Sequence, residues 1–342
     1  MIRVAQIGCG YWGPNLLRNL NRLSEFEVVA VVEKSPDRKL YVRNNYPHLS
    51  VIDDENLLLN GEFNVDAVVI ATPAHTHFLL AKKFLEQGKH VFIEKPIASS
   101  TQECKTLIEL ANEKSLTLMV GHVFEYNASV KKIKELISNG ELGDIYYITS
   151  ERLNLGRVRQ DVNALWNLAP HDISIINYWL EEEPKSISAQ GVAYIQKDIQ
   201  DVSFLTMRYP SNVMAHVHVS WLHPLKTRAM VVVGSKKMLV YDDTSADAKI
   251  RIYDKGITRQ SINTNLGEFD TFAQFQLIHR AGDVLIPHFD FPEPILEEMK
   301  DLAQSIQTGS PPIADGYSGL RVVKVLESAQ KSLENNGMVI QL

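Results

Sequence analysis

Three short stretches carry residue types that could do chemistry together. GCGYWG at 8–13 has the spacing G-x-G-x-x-G. In that pattern Gly8 permits a tight turn, Gly10 lets the backbone approach a pyrophosphate and Gly13 lets a helix pack closely on a strand, with Tyr11 and Trp12 carried in the same loop. EKP at 94–96 sets Lys95 between Glu94 and a proline. A lysine at a strand end facing a cofactor could polarise or protonate a substrate oxygen, because low-dielectric surroundings bring an amine's pKa down, and Pro96 keeps the residue before it out of the helical region. WNLAPHD at 166–172 places His171 four residues after Asn167. An imidazole there could take a hydroxyl proton.

Each stretch also has an ordinary explanation. A lone glycine pattern is often just a turn, and a lysine is usually a surface residue. WNLAPHD is a competent helix start: with Asn167 as N-cap, Pro170 falls at the third helical position, where its missing N–H has no intrahelical acceptor. His171 then shares a helical face with Ile175 and Trp179, as a core histidine would.

The surrounding elements decide how these stretches are presented. IRVAQIG (2–8), FEVVAVVE (26–33), VDAVVIAT (65–72), HVFIE (90–94) and LTLMVGH (116–122) are nearly continuous apolar runs, the pattern of strands buried on both faces. Between them Leu16, Leu17, Leu20 and Leu23, and later Leu79, Leu80, Phe84 and Leu85, follow a helical period. Ser35-Pro36 reads as an N-cap with Pro at the first helical position, and Gly88 as a helix stop. Alternation of this kind predicts an α/β Rossmann domain, a doubly wound parallel sheet, over residues 1–122. Its ligands would sit beyond the carboxyl ends of the strands. Thr72, Pro73, His75 and His77 in TPAHTH leave one such end, and Glu94 and Lys95 leave another. Glu33 ends the second strand, where a carboxylate accepts the ribose hydroxyls and repels a 2′-phosphate, so NAD is favoured over NADP; Lys34 and Arg38 stand close enough to weaken that preference.

Residues 123–342 change character. A helix over about 127–139 and an apolar helix from 171 to 180 precede strand-like pieces from 186 to 253 with no helix between them. That order predicts an α+β C-terminal domain with a large, mostly antiparallel open sheet. Residues 255–290 show no period and read as a long excursion, followed by helices at 294–307 and about 317–335.

Bulk properties exclude several classes of function. The 342 residues suit two cores, and a net charge of −6 supplies no basic excess for nucleic acid or an anionic membrane. Two cysteines, Cys9 and Cys104, lack metal-ligand spacing and cannot form a disulfide framework, so no metal is expected. No apolar stretch approaches a membrane span, and Met1 leads directly into IRVAQIG, which makes the cytoplasm the expected compartment.

Together, GCGYWG, ATPAHTH (71–77), EQGKHVFIEKPIA (86–98), VGHVFEYN (120–127), NGELGDI (139–145) and WNLAPHDI (166–173) resemble the Gfo/Idh/MocA family of NAD(P)-dependent oxidoreductases. The resemblance implies a Rossmann domain followed by an α+β domain whose open sheet makes homodimer or homotetramer contacts, and a catalytic lysine at Lys95. It further implies a catalytic pair at Asn167 and His171, although many members have aspartate where this chain has Asn167. Glu125-Tyr126 likewise stands where many relatives have Arg-Phe. The WNLAPHD style is most similar to members acting on nucleotide-linked sugars, such as UDP-N-acetylhexosamine 3-dehydrogenases. Tyr126, Asn127, Arg157, Asn163, Trp166 and His171 are then candidates for the substrate wall with Lys95, and Arg157 and Arg159 could meet a diphosphate.

The expected activity is hydride transfer between a sugar alcohol and NAD, with His171 taking or relaying the hydroxyl proton and Lys95 steadying the alkoxide. An amide at 167 cannot raise the histidine's pKa as an aspartate would, so His171 is expected to be a weaker base. Two alternatives keep the fold: a redox-neutral NAD-dependent sugar enzyme of glycosidase type, and a regulator that senses NAD without turnover.

Overall fold

The computed structural model describes residues 1–156, 158–257 and 279–342. The chain forms two compact units, Met1–Asn127 with Pro292–Glu327 and Ala128–Phe291 with Ser328–Leu342.

In the first unit the strands β1 (Ile2–Ile7), β2 (Phe26–Val32), β3 (Ser50–Ile52), β4 (Ala67–Ile70), β5 (His90–Glu94) and β6 (Leu118–Gly121) form one parallel sheet in the order β3-β2-β1-β4-β5-β6. Every pairing in it is parallel, and the order reverses between β1 and β4, as a doubly wound sheet requires. Helices α1 (Gly13–Arg22), α2 (Pro36–Asn45), α3 (His77–Glu86) and α4 (Thr101–Glu113) make the crossovers. On α1 the periodic Leu16, Leu17 and Leu20 are fully buried, each stabilising the unit by roughly 1.5–3 kcal/mol. Ser35 and Pro36 open α2 as expected, and Gly88, at φ +70°, turns the chain out of α3 toward β5.

Beyond residues 1–127, the first unit takes in the helix Pro294–Thr308. Its Met299, Leu302 and Ala303 are buried in one cluster with Val4, Leu16, Leu20 and Val69. The carboxylate of Glu293, just before it, meets Arg18 and Arg22 of α1. Its periodicity predicts an apolar face without saying which sheet receives that face.

The second unit contains α5 (Ala128–Ser138), β7 (Ile145–Leu153) and α6 (Ala164–Leu180), followed by β8 (Ser186–Val192), β9 (Val202–Arg208), β10 (Met214–Ser220), β11 (Thr227–Gly234), β12 (Met238–Asp242), β13 (Ile250–Ile257), β14 (His279–Leu285) and β15 (Ile340–Gln341). Among the described residues these strands make a nine-stranded sheet, ordered β14-β13-β12-β11-β7-β10-β9-β8-β15. All its neighbours are antiparallel except β7 and β10. Strands β9 and β10 alternate buried and more exposed residues, so one face carries the core, and α6 packs against β7, β9 and β10. The region read as an irregular excursion contains β14, paired to β13 with Ile252 opposite Leu285; the rest of that reading, residues 258–278, lies outside the described residues.

Candidate active site

Three loops leave the carboxyl ends of β1, β4 and β5, beside the point where the strand order reverses. In the first, Gly8 lies at φ +91°, and a Cβ there would come 2.6 Å from the carbonyl oxygen of Ala71, so only glycine fits. A Cβ at Gly10 would meet nothing within 4 Å, which leaves the loop open on that side. Gln6, buried in β1, donates Nε2–H to the carbonyls of Gly8 and Gly13 at 2.9 and 3.0 Å and so holds both ends of the loop. Its only mark in the sequence was one polar residue in an apolar strand.

Glu33 follows β2 and its carboxylate is organised by backbone. Oε2 accepts from Cys9 N at 2.7 Å, and Oε1 accepts from Lys34 N and Ser35 N at 2.8 and 2.9 Å. Arg38 donates to the carbonyls of Cys9 and Gly10 at 2.5 and 2.7 Å. A glycine cradle, the open side at Gly10 and an oriented carboxylate at the second strand fit a dinucleotide: Gly8, Gly10 and the α1 N-terminus would take its pyrophosphate and Glu33 its ribose. Tyr11 is largely exposed, whereas Trp12 packs on the core below and its indole helps to hold down the Glu94 pKa against burial.

The other two loops are tied to each other. His77, buried at the start of α3, has Nδ1 2.7 Å from Pro96 O and Nε2 2.9 Å from Thr72 O. Burial lowers its pKa while the two carbonyls oppose that shift. The expected cofactor contact at His77 is therefore corrected, because its ring is turned inward onto backbone carbonyls. His75 and Pro73 are exposed, and Thr72 shares a hydroxyl bond of 2.7 Å with Thr76. Lys95 is half-buried, its amide bonded to Glu94 Oε2 at 3.2 Å, and the Lys95–Pro96 bond is cis. Burial pushes the Glu94 carboxyl up, and a Cβ at Gly121 would come 2.9 Å from Glu94 Oε1, so glycine there makes room for it.

Beneath these loops lies a buried polar group that sequence reading missed. His122 is sealed, and burial takes its pKa down to about 3, helped by the positive charges of Lys95 and Arg321. Glu125 accepts from Ser318 Oγ at 2.9 Å, and burial raises it to about 8. Tyr126 was expected on the substrate wall and is corrected: it is a core residue whose hydroxyl donates to Asp301 Oδ2 at 2.6 Å and accepts from Ala314 N. Asn127 ends the short turn Val123–Tyr126 and is half-buried.

In the second unit α6 begins earlier than expected. Asn163, not Asn167, is its N-cap, its Oδ1 accepting from Trp166 N at 3.0 Å. Pro170 consequently sits inside the helix, where it removes the bond residue 170 would give to the carbonyl of Trp166. The Asn163 amide donates to Gln200 and Gln330, so its side chain is taken up by capping and packing rather than presented to a substrate. Trp166, Asn167 and His171 are half-buried along one edge of the first turns, with Asn167 and His171 one turn apart. Asn167 Oδ1 accepts from Trp221 Nε1 at 3.2 Å. Next to His171, Asp172 is buried and takes Arg152 Nε and Nη2 at 2.8 and 3.0 Å and Ser150 Oγ at 2.9 Å, which pins α6 to β7. Arg159 pairs with Asp161 at 2.7 Å, and Arg157 lies outside the described residues. Among the described residues no group of His, Cys, Asp and Glu could hold a metal ion, and no helix is long and apolar enough to cross a membrane.

The "Oxidoreductase family, NAD-binding Rossmann fold" of the Gfo/Idh/MocA proteins matches residues 2–122, and the GFO/IDH/MocA C-terminal domain matches residues 130–240. The chain belongs to the Gfo/Idh/MocA family of oxidoreductases. It is 32% identical over 251 residues to the uncharacterized oxidoreductase YdgJ of Escherichia coli, covering 69% of each chain. Over 157 residues it is 31% identical to UDP-N-acetylglucosamine 3-dehydrogenase of Acidithiobacillus ferrooxidans, covering 46% of this chain and 49% of the other. The solved structure of the Acidithiobacillus ferrooxidans enzyme GnnA superposes with a TM-score of 0.78 at 23% identity and 98% coverage of both chains, a likeness of fold. A 2,7-anhydro-N-acetylneuraminate hydratase of Mediterraneibacter gnavus is 27% identical over 264 residues, covering 72% of this chain and 69% of the other. Family membership makes this chain an NAD-binding oxidoreductase whose first domain carries the cofactor loop described above.

Proposed function

We propose that this oxidoreductase acts on a secondary alcohol of a sugar, in particular a nucleotide-linked sugar, with Lys95 and His171 handling the hydroxyl proton. The observation that carries the reading is Lys95, half-buried at the carboxyl end of β5 in a turn held by Glu94 and His77, where a cation can meet a substrate oxygen beside the dinucleotide. The 31% identity to a UDP-N-acetylglucosamine 3-dehydrogenase supports the substrate class. Bound NAD supplies the hydride acceptor. Lys95 donates a hydrogen bond to the alcohol oxygen and stabilises the negative charge that grows there. His171 accepts the proton, directly or through a neighbouring hydroxyl. Asn167 offers no charge to the imidazole and, tied to Trp221, serves to position that edge of α6.

The test is the appearance of NADH absorbance with UDP-N-acetylhexosamines and uronates compared with free polyols. Lys95→Met and His171→Ala should each lower kcat by about 10²–10⁴-fold. Asn167→Asp should move the acidic limb of the pH–rate profile. An unmoved limb removes His171 from the proton path, and turnover of polyols alone removes the nucleotide. The identity to a hydratase favours one other reading, redox-neutral sugar chemistry with retained NAD. It predicts product without net NADH in the same assay.

A further inference from the structure

We propose that Arg38 is a positioning residue of the cofactor loop: its guanidinium braces the carbonyls of Cys9 and Gly10, so that it fixes the loop instead of reading the adenosine ribose. The geometry is two-sided. The amide of Cys9 is held by Glu33 Oε2 at 2.7 Å, and the carbonyl of the same residue is held by Arg38 Nε at 2.5 Å. Arg38 Nη2 takes the next carbonyl, that of Gly10, at 2.7 Å. Two consecutive carbonyls are thus bridged by one planar, pre-oriented fork, a fixed geometry that an ammonium group on a flexible stem does not supply. The guanidinium carbon also lies 4.8 Å from the centre of the Tyr41 ring, one turn along α2, which limits its swing.

The consequence for the cofactor follows from peptide geometry. In a trans peptide the C=O and the following N–H point in opposite directions. Holding the carbonyls of Cys9 and Gly10 therefore fixes the directions of the Gly10 and Tyr11 N–H groups, the donors on the open side of the loop that a pyrophosphate would take. A cation at this place in the sequence is also the group that could receive a 2′-phosphate and admit NADP. Here two of its N–H donors, on Nε and Nη2, are taken by the loop and aim the fork at it, so Glu33 sets the preference for NAD and Arg38 serves both dinucleotides alike.

Binding of NADH and of NADPH, each followed by fluorescence titration of the purified protein without substrate, separates a brace from a phosphate reader. Arg38→Met should raise both dissociation constants by a similar factor, about tenfold, as loss of charge-assisted bonds worth about 1.4 kcal/mol would. Arg38→Lys should recover only part of that loss. The melting temperature of the cofactor-free variants should stay within a few degrees of wild type, because Arg38 is only half-buried at the start of α2 and fills no part of the apolar core. The proposal is overturned if Arg38→Met weakens NADPH alone, which makes Arg38 a phosphate contact. It is equally overturned if Arg38→Lys binds both cofactors like wild type, which makes charge alone sufficient.

Discussion

Asp172 and Glu298 are both carboxylic acids shut away from solvent on a helix, and their surroundings are opposite. Asp172 receives two donors from Arg152 and the hydroxyl of Ser150. Neither oxygen of Glu298 meets a donor among the described residues, and its electrostatic neighbours, Glu94, Glu125 and Asp301, are acids themselves. A sealed carboxylate with a bidentate arginine acts as a directional peg, while burial among acids pushes the Glu298 carboxyl well above the ordinary carboxylate range. The peg stands next to His171, where one helix turn must keep its register on the sheet. Glu298 has Glu94, the residue before Lys95, among its electrostatic neighbours, and Glu94 and Glu125 are likewise pushed up by burial. One unit thus fixes the residue beside His171 with a charge pair, and the other holds a group of buried acids, Glu94 next to Lys95 among them, whose carboxyls are pushed up by burial.

The largest effect expected from this contrast comes from breaking the pair on one side only. Arg152→Met leaves Asp172 sealed without its bidentate partner, which should cost about 3–5 kcal/mol in urea unfolding of the second unit. Adding Asp172→Leu should recover most of that loss, because two apolar groups then fill the space of the pair. A single variant that loses less than about 1 kcal/mol would show that water reaches Asp172.

Next in size is the pH dependence of the acids in the first unit. The folded-state pKa of Glu125 is about 8, above the ordinary carboxylate value, so the folded chain holds this proton where the unfolded chain has lost it. Its contribution to stability is complete below the unfolded pKa and is lost as pH rises toward about 8, by roughly 1.4 kcal/mol per pH unit in that window. The melting temperature should therefore fall between about pH 5 and about pH 8, and Glu125→Gln should flatten the fall. A slope unchanged by the substitution would assign the proton elsewhere.

Much of this arrangement was legible in the residues, for identifiable reasons. The parallel sheet showed itself because strands buried on both faces are apolar throughout, and the cofactor loop because glycine spacing has few other uses beside a strand and a helix. EKP and His171 stood out as motifs, and their roles rest on the proposal above. What stayed hidden depends on contacts between distant residues. Nothing near Arg152 says that it will meet Asp172 twenty residues later. Pro170 suggested that α6 starts near Asn167, yet the helix tolerates the proline and caps at Asn163. Tyr126, adjacent to a family motif, looked like a substrate contact and proved to be core, since a sequence does not show which way an aromatic ring points.

The smallest effect belongs to Glu298 itself, and it sharpens the comparison most. If its carboxyl carries a proton and bonds nothing, Glu298→Met removes only buried polar atoms that gained no partner on folding, and keeps nearly the same volume. Near pH 4, where the unfolded carboxyl also holds its proton, the variant should lie between no change and a gain of about 1 kcal/mol. The gain should grow as pH rises, because burial and the acids around it hold the wild-type pKa well above the ordinary value, and only the wild type has to ionise there. Thermal melts of both proteins at pH 4 and pH 9 measure it. A loss above about 1 kcal/mol at either pH would mean that Glu298 is held by a donor after all, and that its contrast with Asp172 fails.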